Sequence, residues 1–221
     1  MFIFNGISSK DMSISCKDED FIGRASKAYE QTTIEGKDGS SFEELSYSNY
    51  EKSVTMYLKD ISKIDDVFAW LNGEGIFEYD GRKTKAWFLD EIETENQFDR
   101  IVILKTKFVR YPFWEAIDDD YIQVTTGVTN KGNACSYPLI KLSGTGQVDI
   151  SINDVRFSYT FDEDGQVEID CLNMEETYKG ISKAKNIEIG FEYPKLFPGK
   201  NTITINSGSC KIFIKRKDRW L

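Results

Sequence analysis

The sequence contains no histidine, and this absence excludes the usual form of several active sites. Ser-His-Asp and Cys-His arrangements need an imidazole as the base. Histidine also completes the zinc sites that are not built from cysteine alone. The four cysteines, Cys16, Cys135, Cys171 and Cys210, are far apart and form no C-x-x-C pair. We therefore expect reduced, buried apolar cysteines, with no metal and no cofactor.

Long apolar runs and phosphate-binding motifs are also missing. No stretch approaches the roughly 20 apolar residues that a membrane-spanning helix requires. The first residues, MFIFNGISSKDM, lack the basic start and the apolar core of a signal peptide. We therefore expect neither a cleaved secretion signal nor membrane insertion. Neither G-x-x-x-x-G-K-[ST] nor G-x-G-x-x-G occurs, so no glycine loop for phosphate is predicted.

Proline is scarce as well, with four residues in the chain, and two of them lie close together in FEYPKLFPGKNTITIN. Proline cannot donate a hydrogen bond to a strand neighbour, so Pro194 is predicted to end the strand NIEIGFEY. Pro198-Gly199 predicts a tight turn, because proline fixes its φ angle and glycine accepts a positive one. The stretch is thus a stiff corner between two strands.

Acidic residues are abundant, and one cluster of them resembles a metal loop. In FDEDGQVEID, residues Asp162, Asp164 and Gly165 do not have the spacing of an EF-hand loop, so we predict a hairpin turn, with a calcium site as the alternative. A pair of carboxylates could also serve a glycosidase. Because the chain has 37 acidic residues, their presence alone does not distinguish that class.

Charge is distributed unevenly along the chain. Residues 1–120 contain 25 acidic and 15 basic residues, a net charge of −10, whereas residues 121–221 contain 12 acidic and 13 basic residues, a net charge of +1. Gripping nucleic-acid phosphates requires lysine and arginine stripes, which the acidic half lacks. Such a surface suits a channel that nucleic acid passes without sticking; the plain alternative is solubility. We predict two domains, residues 1–120 and 121–221.

The first half predicts a β-sandwich or barrel-like domain with one helix. Val54, Met56 and Leu58 share one face of a strand. In the helix, Ile64, Val67, Phe68 and Leu71 form one stripe, Ser62 caps the start, and Asn72-Gly73 stops it.

The other elements predicted in the first half are two turns, one irregular segment and one long strand. The turns are a strand–turn–strand around Asn5-Gly6 that ends near Ile14 and a hairpin at Asp80-Gly81. Residues 17–41 are predicted to be a mobile loop or arm, and residues 101–109 a strand that Pro112 ends.

The second half predicts an antiparallel β-sandwich, because short alternating strands are separated by glycine and asparagine. Its basic end, residues 215–219, is interpreted as a solvated strand edge guarded by lysine, with a partner contact as the alternative. The four tryptophans are Trp70, Trp87, Trp114 and Trp220. Core or subunit-interface positions are predicted for Trp70 and Trp87 rather than sugar-stacking platforms.

The order of these segments resembles the distal tail proteins of long-tailed bacteriophages that infect Gram-positive hosts. The most specific segments are residues 132–144 and the corner at residues 196–201. The segments that carry the resemblance are FNGISSKDM, IEGKDGS before SVTMYL, IDDVFAWLNGEG, FEYDGRKTKAW, FVRYPFW, TNKGNACSYPLIKLSGTGQVDISIND, GQVEIDCLN and YPKLFPGKNTITI.

The resemblance implies a virion structural protein without catalytic, metal or cofactor residues. It implies a hexameric ring of N-terminal domains at the tip of the tail tube, with a lumen that passes DNA. The C-terminal domain is expected to be a galectin-like sandwich on the outside. The expected partners are the tail tube protein, the tail-associated tip or fibre protein of the baseplate, and a receptor-binding protein for host attachment. Assembly is expected in the host bacterial cytoplasm.

Two other classes remain open from the sequence. One is a carbohydrate- or cell-surface-binding β-sandwich module, and the other is a hydrolase built on a sandwich. Galectin sugar sites depend on a histidine and a stacking tryptophan. This chain has no histidine, and its second half has only Trp220, near its end. The sequence therefore argues against sugar binding. It does not identify the host, the receptor or the residues that would contact a neighbouring copy.

Overall fold

A computed structural model describes residues 1–17, 21–97 and 101–221 of the chain. These residues form two compact units. Met1–Ile117 and Leu221 make up the N-terminal unit, and Asp118–Trp220 make up the C-terminal unit. The sheets are antiparallel, and the one α-helix of the described residues lies in the N-terminal unit. The predicted fold class, mainly β with a single α-helix, is confirmed.

The N-terminal unit is built on one large sheet that curls into a half-barrel. Its strands are β1 (Ile3–Phe4), β2 (Ile7–Ser8), β3 (Ile14–Cys16), β4 (Lys27–Thr33), β5 (Ser40–Tyr47), β6 (Tyr50–Leu58), β7 (Gly73–Tyr79), β8 (Arg82–Phe88), β9 (Glu93–Gln97), β10 (Ile101–Arg110) and β11 (Trp114–Ala116). In the large sheet the order is β2-β1-β7-β8-β10-β6-β3, with β9 on β10 and β11 on β8. Strands β4 and β5 form a separate sheet.

The core of this unit lies on one face of the large sheet. Val54, Met56 and Leu58 of β6 are buried, as their alternation predicted, and β10 pairs with β6 along residues 102–110. The two predicted turns are also confirmed. Asn5-Gly6 has φ angles of 50° and 79°, and Asp80-Gly81 has φ angles of 49° and 72°. Positive φ at both central residues matches the right-handed twist of a hairpin.

Aromatic rings fill the space beneath the sheet. The centroids of Phe2, Phe21 and Phe77 are 4.9–5.2 Å apart. The Trp70 ring stacks on Phe2 at 5.5 Å, and its indole N–H donates to the backbone oxygen of Phe4 at 2.8 Å. A buried tryptophan needs such a partner for its N–H group. Trp70 is therefore a core residue, in agreement with one of its two predicted positions.

The helix α1 spans Ile64–Trp70 and follows a 3-10 turn at Ile61–Lys63. Its buried residues are Val67 and Trp70, whereas Phe68 is 37 % exposed. The predicted stripe is thus wrong at Phe68. Trp70 is buried in its place, because the hydrogen bond of the indole N–H to Phe4 holds the Trp70 side chain in the core.

The predicted cap of the helix is also wrong. Asp60, not Ser62, supplies a capping oxygen, and it caps the 3-10 turn that precedes α1: its Oδ1 accepts hydrogen bonds from the backbone N of Ser62 at 3.1 Å and from the Ser62 hydroxyl at 2.7 Å. The Ser62 side chain therefore donates where it was expected to accept, and Lys63, the N-cap of α1, makes no capping side-chain hydrogen bond. The predicted stop is confirmed, since Gly73 has a φ of 81°.

A buried arginine at the end of β10 was not predicted. Arg110 is fully buried, and its guanidinium donates to the carbonyls of Tyr111 at 2.8 Å, Pro112 at 3.2 Å and Gly23 at 2.5 Å. The rings of Tyr50 and Trp114 lie 4.6 and 4.7 Å from its Cζ atom. Burial lowers the pKa of Arg110 to about 10. Carbonyls and ring faces thus replace the carboxylate that usually accompanies a buried guanidinium.

The C-terminal unit is a β-sandwich, as predicted. Its strands are β12 (Ile122–Val124), β13 (Gly127–Asn130), β14 (Leu139–Gly144), β15 (Gln147–Ile152), β16 (Val155–Thr160), β17 (Gln166–Asp170), β18 (Glu175–Tyr178), β19 (Ile181–Ser182), β20 (Ile187–Ile189), β21 (Gly199–Ser207), β22 (Cys210–Lys215) and β23 (Arg219–Trp220), with a 3-10 turn at Ala184–Asn186. One sheet has the order β12-β22-β14-β17-β18-β19, and the other β13-β21-β15-β16-β20. Their facing side chains, Ile140, Leu142, Ile150, Phe157, Ile203 and Ile214 among them, form one core.

Replacement of Arg110 tests its role in the N-terminal unit. Arg110→Ala should lower the free energy of unfolding by about 3 kcal/mol, because three carbonyl oxygens lose a charged donor. Urea unfolding followed by tryptophan fluorescence measures this, since Trp70, Trp87 and Trp114 lie in this unit. The control is Arg156→Ala, whose side chain is 69 % exposed and should change the midpoint little. Equal effects of the two variants would contradict the assignment.

Candidate assembly surfaces

Strands β4 and β5 form a two-stranded sheet that pairs with no other strand of the described residues. We call residues 27–47 the arm. A loop or arm was predicted for residues 17–41, of which residues 18–20 lie outside the described part of the chain. Strands β4 and β5 form a β-hairpin, so the loop alternative is wrong and the arm alternative agrees with the structure. Both faces of its strands are largely exposed, which removes the alternation that identifies a half-buried strand.

The arm is held together by contacts between its own two strands. Lys27 forms an ion pair with Glu44. The rings of Tyr29 and Phe42 meet edge to face across the strands at 5.3 Å. Even so, Tyr29 is 58 % exposed, Phe42 59 % and Leu45 55 %. An isolated two-stranded hairpin is only marginally stable in water, and exposed apolar clusters mark interaction surfaces. The arm therefore has the features of a segment that packs on another chain.

A second cluster surrounds the half-buried Trp87 on the solvent-facing side of β8. The indole N–H of Trp87 donates to Glu74 at 3.0 Å, and Lys85 contacts the same carboxylate at 2.7 Å. These partners lower the pKa of Glu74, with the Lys85 hydrogen bond as the largest cause. The Tyr111 ring meets Trp87 edge to face at 5.2 Å. Trp87 thus lies outside the core, and the predicted subunit interface remains its candidate role. Trp114 is buried, and Trp220 is half-buried.

In the C-terminal unit, the structure brings together the two segments that carry the family resemblance most specifically. The backbones of Ser136 and Leu196 exchange two hydrogen bonds, at 3.0 and 2.9 Å. The buried amide of Asn130 donates to the carbonyls of Ala134 and Leu196, both at 3.0 Å. Residues 132–144 and 196–201 therefore form one structural feature, although they are far apart in the sequence.

Asn201 organises the corner at residues 196–201. Its Oδ1 accepts hydrogen bonds from the backbone N of Phe197 at 2.8 Å and from Asn153 Nδ2 at 2.9 Å. Its Nδ2 donates to the carbonyls of Phe197 and Gly199, both at 2.9 Å. Asn201 is 4 % exposed. The buried amide of Asn201 thus satisfies the backbone hydrogen-bonding groups of the turn, which indicates a structural role.

The prolines of this corner only partly follow the prediction. Gly199 has a φ of 91°, as expected for the turn at Pro198-Gly199. However, β20 ends at Ile189, well before Pro194. The prediction that Pro194 ends this strand is wrong. The strand ends earlier, because β16, its neighbour in the sheet, pairs with it only at residues 187–189.

The acidic cluster at residues 162–165 is a turn, but it does not form a hairpin. It connects β16 in one sheet to β17 in the other. Lys183 Nζ contacts the carboxylates of Asp162 and Asp164, both at 2.6 Å. These hydrogen bonds lower the pKa of Asp162 and raise that of Lys183. A lysine ammonium group thus neutralises the two carboxylates that the calcium alternative needed.

The basic end of the chain begins in the interior of a sheet. Lys215 is the last residue of β22, which lies between β12 and β14, so the predicted strand edge is wrong at Lys215. After β22 the chain turns at Lys217, which has a φ of 54°. The carboxylate of Asp218 is buried and contacts Arg216 at 3.2 Å. Burial raises the pKa of Asp218. Arg216 therefore neutralises a carboxylate of its own segment.

The cysteines and acidic residues were also compared with the requirements of a reactive site. All four cysteines are free thiols; Cys171 is buried and the other three are half-buried. Burial raises the pKa of Cys210 to about 11 and that of Cys171 still higher. Neither is a thiolate at neutral pH. Across residues 1–17, 21–97 and 101–221, no three His, Cys, Asp or Glu side chains are grouped so that they could hold a metal ion. In the same residues, no helix has the length and apolar character needed to cross a membrane.

Comparison with known proteins gives a family match for the C-terminal unit. Residues 122–220 match the family model of the siphovirus-type tail component, C-terminal domain. This unit is therefore similar to the C-terminal domain of siphovirus-type tail components. A search of curated proteins found no match. The resemblance to phage distal tail proteins inferred from the sequence is confirmed by this family match.

A solved structure shows the same fold over the whole chain. The crystal structure of the SPP1 Dit (gp 19.1) protein, described as a paradigm of the hub adsorption apparatus in phages that infect Gram-positive hosts, superposes with a TM-score of 0.77. It is 13 % identical, and the match covers 100 % of this chain and 98 % of that one. The phage P2 baseplate in its activated conformation with Ca is also similar, at a TM-score of 0.47 and 9 % identity over 96 % of this chain and 93 % of that one.

The role of Asn201 can be tested by its removal. Asn201→Ala should lower the free energy of unfolding of the C-terminal unit by about 2–4 kcal/mol, because buried backbone groups lose their partner. Thr204→Ala, at an exposed position of the same strand, should change it by less than about 0.5 kcal/mol. Hydrogen exchange of residues 130–138 and 194–201 measures the effect locally. Unchanged protection there in Asn201→Ala would contradict the role.

The ion cluster of Lys183 predicts a pH-dependent stability. A lowered Asp162 pKa stabilises the folded state above the ordinary pKa of aspartate, and this contribution is lost as the pH falls through the lowered value. The Tm difference between wild type and Lys183→Met should therefore be largest at neutral pH and shrink in acid. Lys185→Met, an exposed neighbour, is the control. A wild-type Tm that rises with added calcium would support the calcium loop instead.

Proposed function

We propose that this protein is the structural hub of a phage or phage-like tail tip. In this proposal, residues 1–120 form a closed hexameric ring between the tail tube and the tail-associated tip or fibre protein. Residues 121–221 carry the outward sandwich for attachment, including to a receptor-binding protein. DNA passes through the lumen without specific binding. Assembly takes place in the host bacterial cytoplasm, and no catalysis is involved.

The observation that carries the proposal is the arm. It exposes Tyr29, Phe42 and Leu45, and it pairs with no other strand of the described residues. An arm that leaves one copy and packs on the next makes a head-to-tail contact. Repeated contacts of this kind form a ring when the rotation closes. The same hairpin within a monomer would leave its apolar surface in water.

Charge and fold support the same proposal. The −10 net charge of residues 1–120 is unsuited to holding DNA, since like charges repel, and it suits passage through a lumen. The tail-component family match and the fold shared with SPP1 Dit are consistent with a place in the tail. The absence of histidine and the protonated thiols give no support to an enzymatic role.

The ring is tested by measuring mass and shape in solution. Light scattering over a concentration series, with negative-stain images of the same fractions, should give a sixfold mass and ring-shaped particles. The double variant Tyr29→Ser/Phe42→Ser removes the apolar surface of the arm and should weaken association at least about tenfold, the loss of one anchor cluster. Phe191→Ser, at a fully exposed position of the C-terminal unit, is the matched control.

Three results would contradict this proposal. One is a wild-type protein that stays monomeric at every concentration, including after addition of the tail tube protein. Another is a ring that forms equally well with the arm variant. The third is a loss of assembly in Phe191→Ser as large as that in the arm variant, because it would place the contact on the sandwich.

A further inference from the structure

A cavity of about 430 Å³ lies beside β3, the strand at one end of the large sheet. Its lining includes three serines, two lysines and a cysteine, and no carboxylate: Ser9, Lys10, Ser13, Ser15, Cys16 and Lys59. Backbone hydrogen bonds fix this arrangement. Ser13 N donates to Lys10 O, and Lys59 N donates to Ser13 O, both at 3.0 Å. Two lysines from distant parts of the sequence are thus held at one cavity.

These two lysines differ from most others of the N-terminal unit. Lys27, Lys85, Lys105 and Lys107 contact carboxylates, and Lys63 and Lys83 donate to backbone carbonyls. Among the described residues, neither Lys10 nor Lys59 has a carboxylate within ion-pair distance. Residues 1–120 contain 25 acidic residues, so carboxylates are not scarce in this part of the chain. The cavity is therefore a local cationic site in an acidic unit, with ammonium and hydroxyl donors that suit a carboxylate or phosphate group.

An acidic unit that associates with copies of itself must offset repulsion. Electrostatic attraction between two strongly negative units arises only where opposite charges face each other. The lysine cavity provides the positive member of such a contact. The negative member must come from exposed carboxylates that are not already neutralised within their own copy.

The tip of the arm provides such carboxylates. Glu35 and Asp38 are exposed in the turn between β4 and β5, which also contains Lys37. Two carboxylates against one ammonium group leave the tip with a net negative charge, and no ion pair of Glu35 or Asp38 occurs among the described residues. β4 has seven residues, so the tip extends roughly 23 Å from the base of the arm. A second groove also has two lysines in its lining, Lys105 and Lys107, but both already contact carboxylates of their own copy.

We propose that the cavity at Lys10 and Lys59 receives the carboxylates of Glu35 and Asp38 from the arm of a neighbouring copy. This inference rests on the proposed ring and specifies one of its contacts. The apolar side chains of the arm supply contact area, while the charged tip and the cavity fix which part of the neighbour it reaches. Lysine ammonium groups here bind an oxyanion group that belongs to a second copy of this chain.

A zero-length carbodiimide reagent tests the contact directly, because it couples amines to carboxylates only where they touch. Equal amounts of ¹⁵N-labelled and unlabelled protein are mixed, cross-linked and analysed by mass spectrometry. We expect mixed-isotope products that join Lys10 or Lys59 to Glu35 or Asp38. Products with one isotope only would place the contact within a single copy and overturn the inference.

Charge reversal tests the same contact through assembly. Lys10→Glu/Lys59→Glu, or Glu35→Lys/Asp38→Lys, should each weaken association at least about tenfold, as expected for close charge pairs. The two double variants mixed together should associate with each other, since opposite charges again face across the contact. Lys200→Glu/Lys211→Glu changes the net charge equally at exposed positions of the C-terminal unit and should leave association unchanged.

The outcomes separate this inference from the proposed function. Rings without the mixed cross-links, or rings insensitive to both reversals, overturn the arm-tip contact and leave the hub intact. A protein that stays monomeric and yields no mixed cross-link at high concentration overturns both. Mixed cross-links that disappear with either reversal support both.

Discussion

Both units depend on buried side chains that donate hydrogen bonds to backbone carbonyls where the chain leaves a regular strand. Arg110 does this at the end of β10, and Asn130 and Asn201 do it around the corner at residues 196–201. Irregular backbone in an interior has polar groups that no ladder satisfies, and leaving them unpaired is costly. These donors therefore allow non-strand segments to pass through the core. They also explain why segments far apart in sequence are held in one place.

Much of the fold follows from local patterns. The alternation in β6 and the turns at Asn5-Gly6 and Asp80-Gly81 act through nearest neighbours, so they could be predicted. The β-sandwich could also be predicted from its short strands of alternating apolar and polar residues, although β19, with two residues, is too short to show this alternation. The errors have physical causes. The stripe failed at Phe68 because a hydrogen bond of Trp70 to a distant carbonyl, invisible in a helical pattern, chose the buried side chain.

The candidate surfaces were harder to predict because their signals depend on contacts between distant residues or on an absent partner. The arm has no alternation, since neither face is buried within its own unit. Lys183 neutralises Asp162 and Asp164 from another segment, so the sequence could not distinguish a metal loop from an ion cluster. The order of segments did identify the family resemblance, because segment order can be read directly from the sequence without knowledge of the contacts between distant residues.

Apolar and charged groups make different contributions to the proposed ring contact. Burial of Phe42 and Tyr29 is nearly independent of direction and of salt, so it supplies affinity without choosing a register. The contact between the arm tip and Lys10 and Lys59 is directional, because it is favourable only where the neighbour has no carboxylates of its own. Pairing these lysines within one copy would neutralise the cavity and remove that selectivity. A heterologous contact must close after a fixed number of copies, and a charged tip seated in one cavity fixes the rotation between neighbours.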